Sequence, residues 1–296
     1  MPRDVFYYSN GYKIAASLFT PEDWRPGDKP RPAILALAGY SGVQEYFGIT
    51  IHRRFSEEGY FVLAPDYQGF GRSEGPQGRH RPLEQAQNAY DAITYLETLD
   101  GIDPDRIGIY GRSFGGGNAI WVGAFDRRAK VIVSVVGVHD GERWMRSVRR
   151  PHEWYSFQQE VCDAARRRVT TGTPTMKPRT EIVLSDPFSI KTRKEYHEQS
   201  PYFQKQFDIE SVEACWRYKP EWVAPRIAPR PVLIVYSEYD FLVPVQEALS
   251  CYEACGEPKK LVKLPKARHY DSYKAVNPEA GEICMREAVD WYNRFL

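Results

Sequence analysis

The sequence predicts an α/β fold built on a mostly parallel, doubly wound sheet, and three observations lead there. Short apolar runs alternate with helix-length segments whose apolar residues recur at helical spacing. The runs are continuous rather than alternating, as in Ala33-Ile34-Leu35-Ala36-Leu37, which fits strands covered on both faces. The segments between them are long enough for the right-handed helical crossovers that join parallel strands.

Taken in order, residues 5–9 and 13–19 are apolar runs joined across Asn10-Gly11, the strongest short hairpin signal, and predict an antiparallel edge. A proline-rich connection, 21–32, leads to the first central strand at 33–37. The unit then recurs: helix 47–58, strand 61–65, helix 83–99, strand 106–110, helix 113–125 and strand 131–136. After a long interruption come strand 232–236, helix 245–254, strand 261–264 and a final helix at 279–296. The interruption, 139–224, is far too long for a loop. It carries helical stretches at 144–150 and 154–169, a Gly/Pro/Thr turn at 170–178 and a Tyr/Phe-rich segment around 196–207. It is read as a helical lid inserted after the sixth sheet strand, dividing the chain into a core of 1–138 and 225–296 and a lid (cap) domain of 139–224. No internal repeat or low-complexity tract interrupts this pattern.

Composition narrows the function. Lysine plus arginine (40) nearly cancel aspartate plus glutamate (39), so neither a nucleic-acid footprint nor attraction to an anionic membrane is expected. The start, Met1-Pro2-Arg3-Asp4-Val5, lacks the basic-then-apolar pattern of a secretory signal, and the apolar runs elsewhere are strand-length. A soluble, cytoplasmic protein with a small-molecule substrate is the expectation. The five cysteines are an odd number, and only Cys251 and Cys255 lie close, one helical turn apart. Disulfides are not expected, and a redox role for that pair stays open. No Cys/His cluster has zinc spacing, so neither a metal nor a cofactor is expected.

Gly111-Arg112-Ser113-Phe114-Gly115 fits G-x-S-x-G between a predicted strand and a predicted helix, the setting in which this motif lifts a nucleophilic serine onto a sharp turn. Such a turn needs small neighbours, and Gly111, Gly115, Gly116 and Gly117 supply them. A glycine loop cradling a phosphate is the competing reading. A serine hydroxyl is a weak nucleophile at neutral pH and needs a base, itself oriented by a third group. Asp240 lies just beyond the strand at 232–236 and His269 just beyond that at 261–264, both at strand ends where open α/β sheets build their sites. Ser113, Asp240 and His269 are therefore the catalytic candidates. Glu238 and Asp271 are rivals for the acid, the second too near His269 in sequence. Backbone N–H groups of Phe114 and, from the loop at 38–42, Tyr40 are expected to meet the oxyanion. His139, at the start of the lid, is a candidate to line the pocket, with capping or packing as its other use.

These residues resemble a family. The segment Ala64-Pro65-Asp66-Tyr67-Gln68-Gly69-Phe70-Gly71-Arg72-Ser73, the glycines and serine of 111–116, residues 227–231, the surroundings of Asp240, and His269-Tyr270 are similar to those of α/β-hydrolases. Within that superfamily they resemble the dienelactone hydrolase and acylaminoacyl-peptidase-like esterases. The likeness spans the sheet on both sides of the insertion and implies an α/β-hydrolase fold. Two departures stand out: Ala38 where many relatives carry histidine before the oxyanion glycine, and Gln68 in place of a common arginine. Neither removes a catalytic group. Serine rather than cysteine at 113 points away from dienelactone hydrolysis itself and toward esters, thioesters or amides.

The expected function is a serine hydrolase that cleaves a carboxylic ester of a small to medium, apolar or aromatic substrate through an acyl-enzyme. A thioesterase, a C–C bond hydrolase or a peptidase would use the same three residues, and a non-catalytic ligand-binding protein could share the fold. The peptidase is disfavoured because the propeller domain of such relatives is not found in these residues. Trp144 and Tyr155, among the aromatic residues of the insertion, are candidates to wall the pocket; building the lid's own core is the commoner use of such residues. Arg143, Arg146, Arg149 and Arg150, with Arg166 to Arg168, either select an anionic substrate or form solvated helix faces. The aromatic lid also leaves a homodimer contact open.

Overall fold

The computed structural model describes residues 2–40, 43 and 48–296. β1 (Arg3–Ser9) and β2 (Tyr12–Phe19) pair antiparallel about Asn10 and Gly11, whose φ angles of 51° and 80° are those a tight hairpin turn demands. Then follow β3 (Arg31–Leu37), α1 (Gly48–Glu57), β4 (Phe61–Pro65), α2 (Pro82–Glu97), β5 (Ile102–Arg112), α3 (Phe114–Phe125) and β6 (Ala129–Val135). The inserted segment contributes α4 (Gly141–Ser147), α5 (Pro151–Thr171), β7 (Met176–Pro178), α6 (Arg179–Ile182), α7 (Pro187–Tyr196), β8 (Gln206–Asp208), α8 (Ser211–Trp216) and α9 (Pro220–Val223). The chain returns through β9 (Val232–Ser237), α10 (Val245–Ala254), β10 (Lys259–Leu264) and α11 (Pro278–Phe295).

The large sheet runs β1-β2-β4-β3-β5-β6-β9-β10. β2 pairs antiparallel with β4, and every pairing from β4 to β10 is parallel. From β3 the chain winds outward in opposite directions, to β4 on one side and to β5 on the other. Such a reversal opens a crevice at the carboxyl ends of the two strands, because their connections leave on opposite faces. That crevice is where Ser113 sits. Burial on both faces explains the uniform apolar runs: Ala33 to Leu37 and all of β4 are buried. One apolar layer packs α1 and α11 on the sheet, and the other packs α2, α3 and the insertion.

Differences from the sequence expectation are largest at β5 and in the insertion. β5 begins at Ile102, ahead of its apolar stretch, because Ile102 pairs with Arg31 before a register shift. The insertion is not purely helical, since β7 and β8 form a small antiparallel pair. Nor does it close over a core of its own. Trp144, Trp154, Phe157, Phe207 and Tyr218 belong to the same buried cluster as Leu35, Ile109 and Phe114. Of the expected elements, the start of the helix at Phe47, and Ser41 and Gly42 of the expected oxyanion loop, lie outside the described residues. Among the described residues no helix is long and apolar enough to cross a membrane.

Candidate active site

Ser113 forms the corner between β5 and α3 with φ 55° and ψ −126°, a conformation that costs a side-chain-bearing residue and persists only when its surroundings enforce it. The enforcement is visible. A Cβ on Gly111 would lie 1.9 Å from the carbonyl oxygen of Gly115, and one on Gly115 would lie 2.4 Å from the carbonyl oxygens of Leu37 and Ala38. Only glycine lets α3 close this tightly onto β5 and β3. The Ser113 N–H donates to the Val135 carbonyl (2.9 Å), and its own carbonyl accepts from Gly116 and Val138.

His269 opens a short 3-10 turn after β10, and Asp240 lies in the loop after β9. The two loops are tied together by Tyr239 N–H donating to the Ala267 carbonyl (2.8 Å). His269 Nδ1 lies 2.7 Å from Asp240 Oδ2, and Nε2 lies 3.1 Å from Ser113 Oγ. A carboxylate only accepts, so Nδ1 carries the proton and Nε2 presents its lone pair to the serine. Asp240 Oδ1 accepts from the N–H groups of Leu242 (2.9 Å) and Val243 (2.7 Å), which fixes the carboxylate plane. The rival acids are engaged elsewhere: Glu238 takes Lys263 and the Lys266 N–H, and Asp271 takes Arg268. Sequence reasoning overlooked the residue before the nucleophile. Arg112 is buried and donates to the Ser272 carbonyl (2.7 Å) and hydroxyl, bracing the turn that begins at His269.

Phe114 opens α3, where the N–H groups of the first turn have no intrahelical acceptor. Tyr40 follows Gly39, which approaches so closely that a Cβ there would stand 3.3 Å from Ser113 Cβ. Backbone from both expected oxyanion segments thus flanks the serine. The cavity beside Ser113 and His269 is walled by Tyr40, Trp144, Arg179, Arg193, His197 and Tyr270, among others. Trp144 lies where the sequence reading wanted it. His139 and Tyr155 do not, and both are corrections. His139 is fully buried beneath the site, its Nδ1–H donating to the Glu247 carbonyl and its Nε2 accepting from Ser134 Oγ; burial lowers its pKa to about 4. Tyr155 is 71% exposed on the outer side of α5. The arginines singled out from the sequence do not line this cavity either. Three others do, Arg112, Arg179 and Arg193, together with His197, whose pKa falls to about 3 through burial and then the nearby positive charge of Arg179 and Arg193.

A sheet that reverses direction at the serine, a glycine-walled corner and a Ser-His-Asp hydrogen-bond chain are the marks of an α/β-hydrolase. Residues 10–271 match the family model described as X-Pro dipeptidyl-peptidase (S15 family). The chain belongs to that family, and the superfamily resemblance read from its motifs stands. An uncharacterized 31.7 kDa protein of the traX-finO intergenic region of Escherichia coli is 30% identical over 262 residues, covering 88% of this chain and 90% of its own. The thiohydrolase aneE of Aspergillus aculeatus is 27% identical over 279 residues, 90% of this chain and 85% of its own. Among solved structures, the α/β-hydrolase GrgF from Penicillium superposes with a TM-score of 0.83 at 21% identity, covering 99% of this chain and 98% of its own. At that identity the likeness speaks for the fold.

Proposed function

We propose that the protein is a serine hydrolase that cleaves a carboxylic ester or thioester through an acyl-enzyme on Ser113. The observation that carries this reading is the unbroken hydrogen-bond chain from Asp240 through His269 to Ser113 Oγ. As Oγ attacks the carbonyl carbon, its proton passes to His269 Nε2, and the resulting imidazolium is stabilised by Asp240, which stays ionised. The developing oxyanion is met by the N–H groups of Phe114 and Tyr40. Collapse of the tetrahedral intermediate returns the proton to the leaving alcohol or thiol. Water then attacks the acyl-serine, with the same histidine as base.

Thioesters have specific support in the likeness to a protein named thiohydrolase. Dipeptide release has less support, despite the family's name. A peptide with a free N-terminus presents a cation, and the described residues lining the cavity include three arginines and no carboxylate. A cytoplasmic setting belongs to this reading and is supported by five cysteines of which none is disulfide-bonded. The test is a fluorophosphonate probe followed by peptide mapping, on the native protein and on Ser113→Ala. Stoichiometric labelling of Ser113 that vanishes in the variant is expected; a folded native protein that stays unlabelled would overturn the reading.

A further inference from the structure

Arg179 begins α6 and lines the cavity beside Ser113, with no acid among the other described lining residues. The residue is only 8% exposed. Its Nε and Nη1 are buried, and neither has a hydrogen-bond partner. The other arginines of the inserted segment that are comparably placed are occupied: Arg193 by Glu198, Arg143 by Glu221 and Glu247, and Arg149 by the carbonyls of Met145 and Ile182. What Arg179 does face is the ring of Tyr40, 5.7 Å from its guanidinium carbon. Its backbone is fixed, the N–H donating to the Lys205 carbonyl (3.1 Å) and the carbonyl accepting from Val183 (2.8 Å). The side chain is therefore held at the cavity rather than stranded there by a loose segment.

Arginine does not shed its proton in a protein, so a buried guanidinium without an anion cannot relieve itself by titration. Burial acts most strongly against the charged form of Arg179 and the charge of Arg193 adds to it, while Tyr270, Tyr40 and Glu198 offset this in part. Arg193 itself is 2% exposed and lines the same cavity, as does the buried Arg112. Arg193 is neutralised by Glu198, so with no carboxylate among the described lining residues the excess positive charge beside the serine comes from Arg112 and Arg179. An anion from outside the chain would supply the missing acceptors, and the geometry of guanidinium recognition favours a planar carboxylate.

From this we propose that the substrate carries a carboxylate in addition to its scissile ester or thioester, and that Arg179 binds it. The proposal rests on the acyl-enzyme reading above and narrows its substrate class to half-esters or half-thioesters of dicarboxylic acids and to esters with an acidic leaving group.

Two substrate pairs test it. Mono-4-nitrophenyl glutarate against 4-nitrophenyl valerate puts the charge on the acyl part, and 3-carboxyphenyl butyrate against phenyl butyrate puts it on the leaving group. The native enzyme should prefer the charged member of one pair in kcat/KM. Arg179→Gln should lower that preference by on the order of tenfold to a hundredfold, the range for a hydrogen bond to a charged group, and Arg179→Lys should restore part of it. Equal preference in native and variant, or no preference for charge in either pair, overturns the proposal. Calorimetric titration with glutarate gives a second readout that needs no turnover. Binding to the native protein, weakened at least tenfold in Arg179→Gln, is expected. If no ester is hydrolysed but glutarate binding depends on Arg179, the hydrolase reading fails and the anion site stands; if esters are cleaved and glutarate does not bind, the reverse holds.

Discussion

Asp240 divides its oxygens between two duties, Oδ1 to the backbone of its own loop and Oδ2 to His269. Asp240→Asn keeps the first and inverts the second, because an amide N–H in place of Oδ2 would face Nδ1–H and force the wrong imidazole tautomer. The turnover of 4-nitrophenyl butyrate should then fall by roughly 10³- to 10⁴-fold, as expected when a triad histidine loses its orienting carboxylate. Glu238→Gln, two residues away, should stay within about twofold of native, since Glu238 answers to Lys263 and the Lys266 backbone on the surface. Ser113, Asp240 and His269 were readable in the sequence because each follows an apolar strand, and strand ends are what periodicity locates. Arg179 was not. Nothing in its local sequence separates it from Arg143 or Arg149; what distinguishes it is burial without a partner, a property that appears only once distant segments pack. His139 fails for the same reason in reverse, its position after a strand being compatible with a pocket until Ser134 and Glu247 are seen to hold it below.

The corner between β5 and α3 works because backbone meets backbone, so its tolerance for any side chain is small. Gly111→Ala should lower Tm and abolish labelling of Ser113, as its methyl would collide with the Gly115 carbonyl, which cannot swing aside as a side-chain tip can. A second junction, on α10, fastens the inserted segment to the core. Glu247 is fully buried and accepts from the N–H groups of His139 and Asp140 and from Arg143 Nε. Arg143 also reaches Glu221. Glu247→Ala should cost about 3 kcal/mol or more in urea denaturation, because three donors lose their acceptor in a buried setting. The helices and central strands of this molecule are visible in its sequence, since burial stamps a period on them. β7 and β8 are not, for three residues are too few to carry a period and their pairing joins positions some 30 apart.

At the level of the whole molecule, acid sensitivity follows from four histidines, His52, His80 and His139 buried and His197 partly so. Burial lowers the pKa of His52, His80 and His197 to about 3 and that of His139 to about 4. In the unfolded chain the same rings take up protons near 6.5. Between those values the unfolded state binds more protons, so stability rises with pH across the window and is lost as pH falls from about 6.5 toward 3 to 4. Each ring contributes a slope of at most about 1.4 kcal/mol per pH unit. Chemical denaturation at pH 7, 5.5 and 4.5 should show a steep decline, and a flat profile would mean that these rings are protonated in the native state.

The apolar cluster shared between sheet and insertion sets a limit on how this protein can be trimmed. Tyr40 stacks on Phe207 at 5.1 Å, and Phe114 stacks on Tyr218 at 5.7 Å while lying near Trp144. Bridging β6 directly to β9 would leave the two residues assigned to the oxyanion facing water with their aromatic cover gone. Such a shortened chain would be recovered as aggregate, not as a minimal catalyst. Exchanging insertions between relatives should succeed only where their floors are exchanged too.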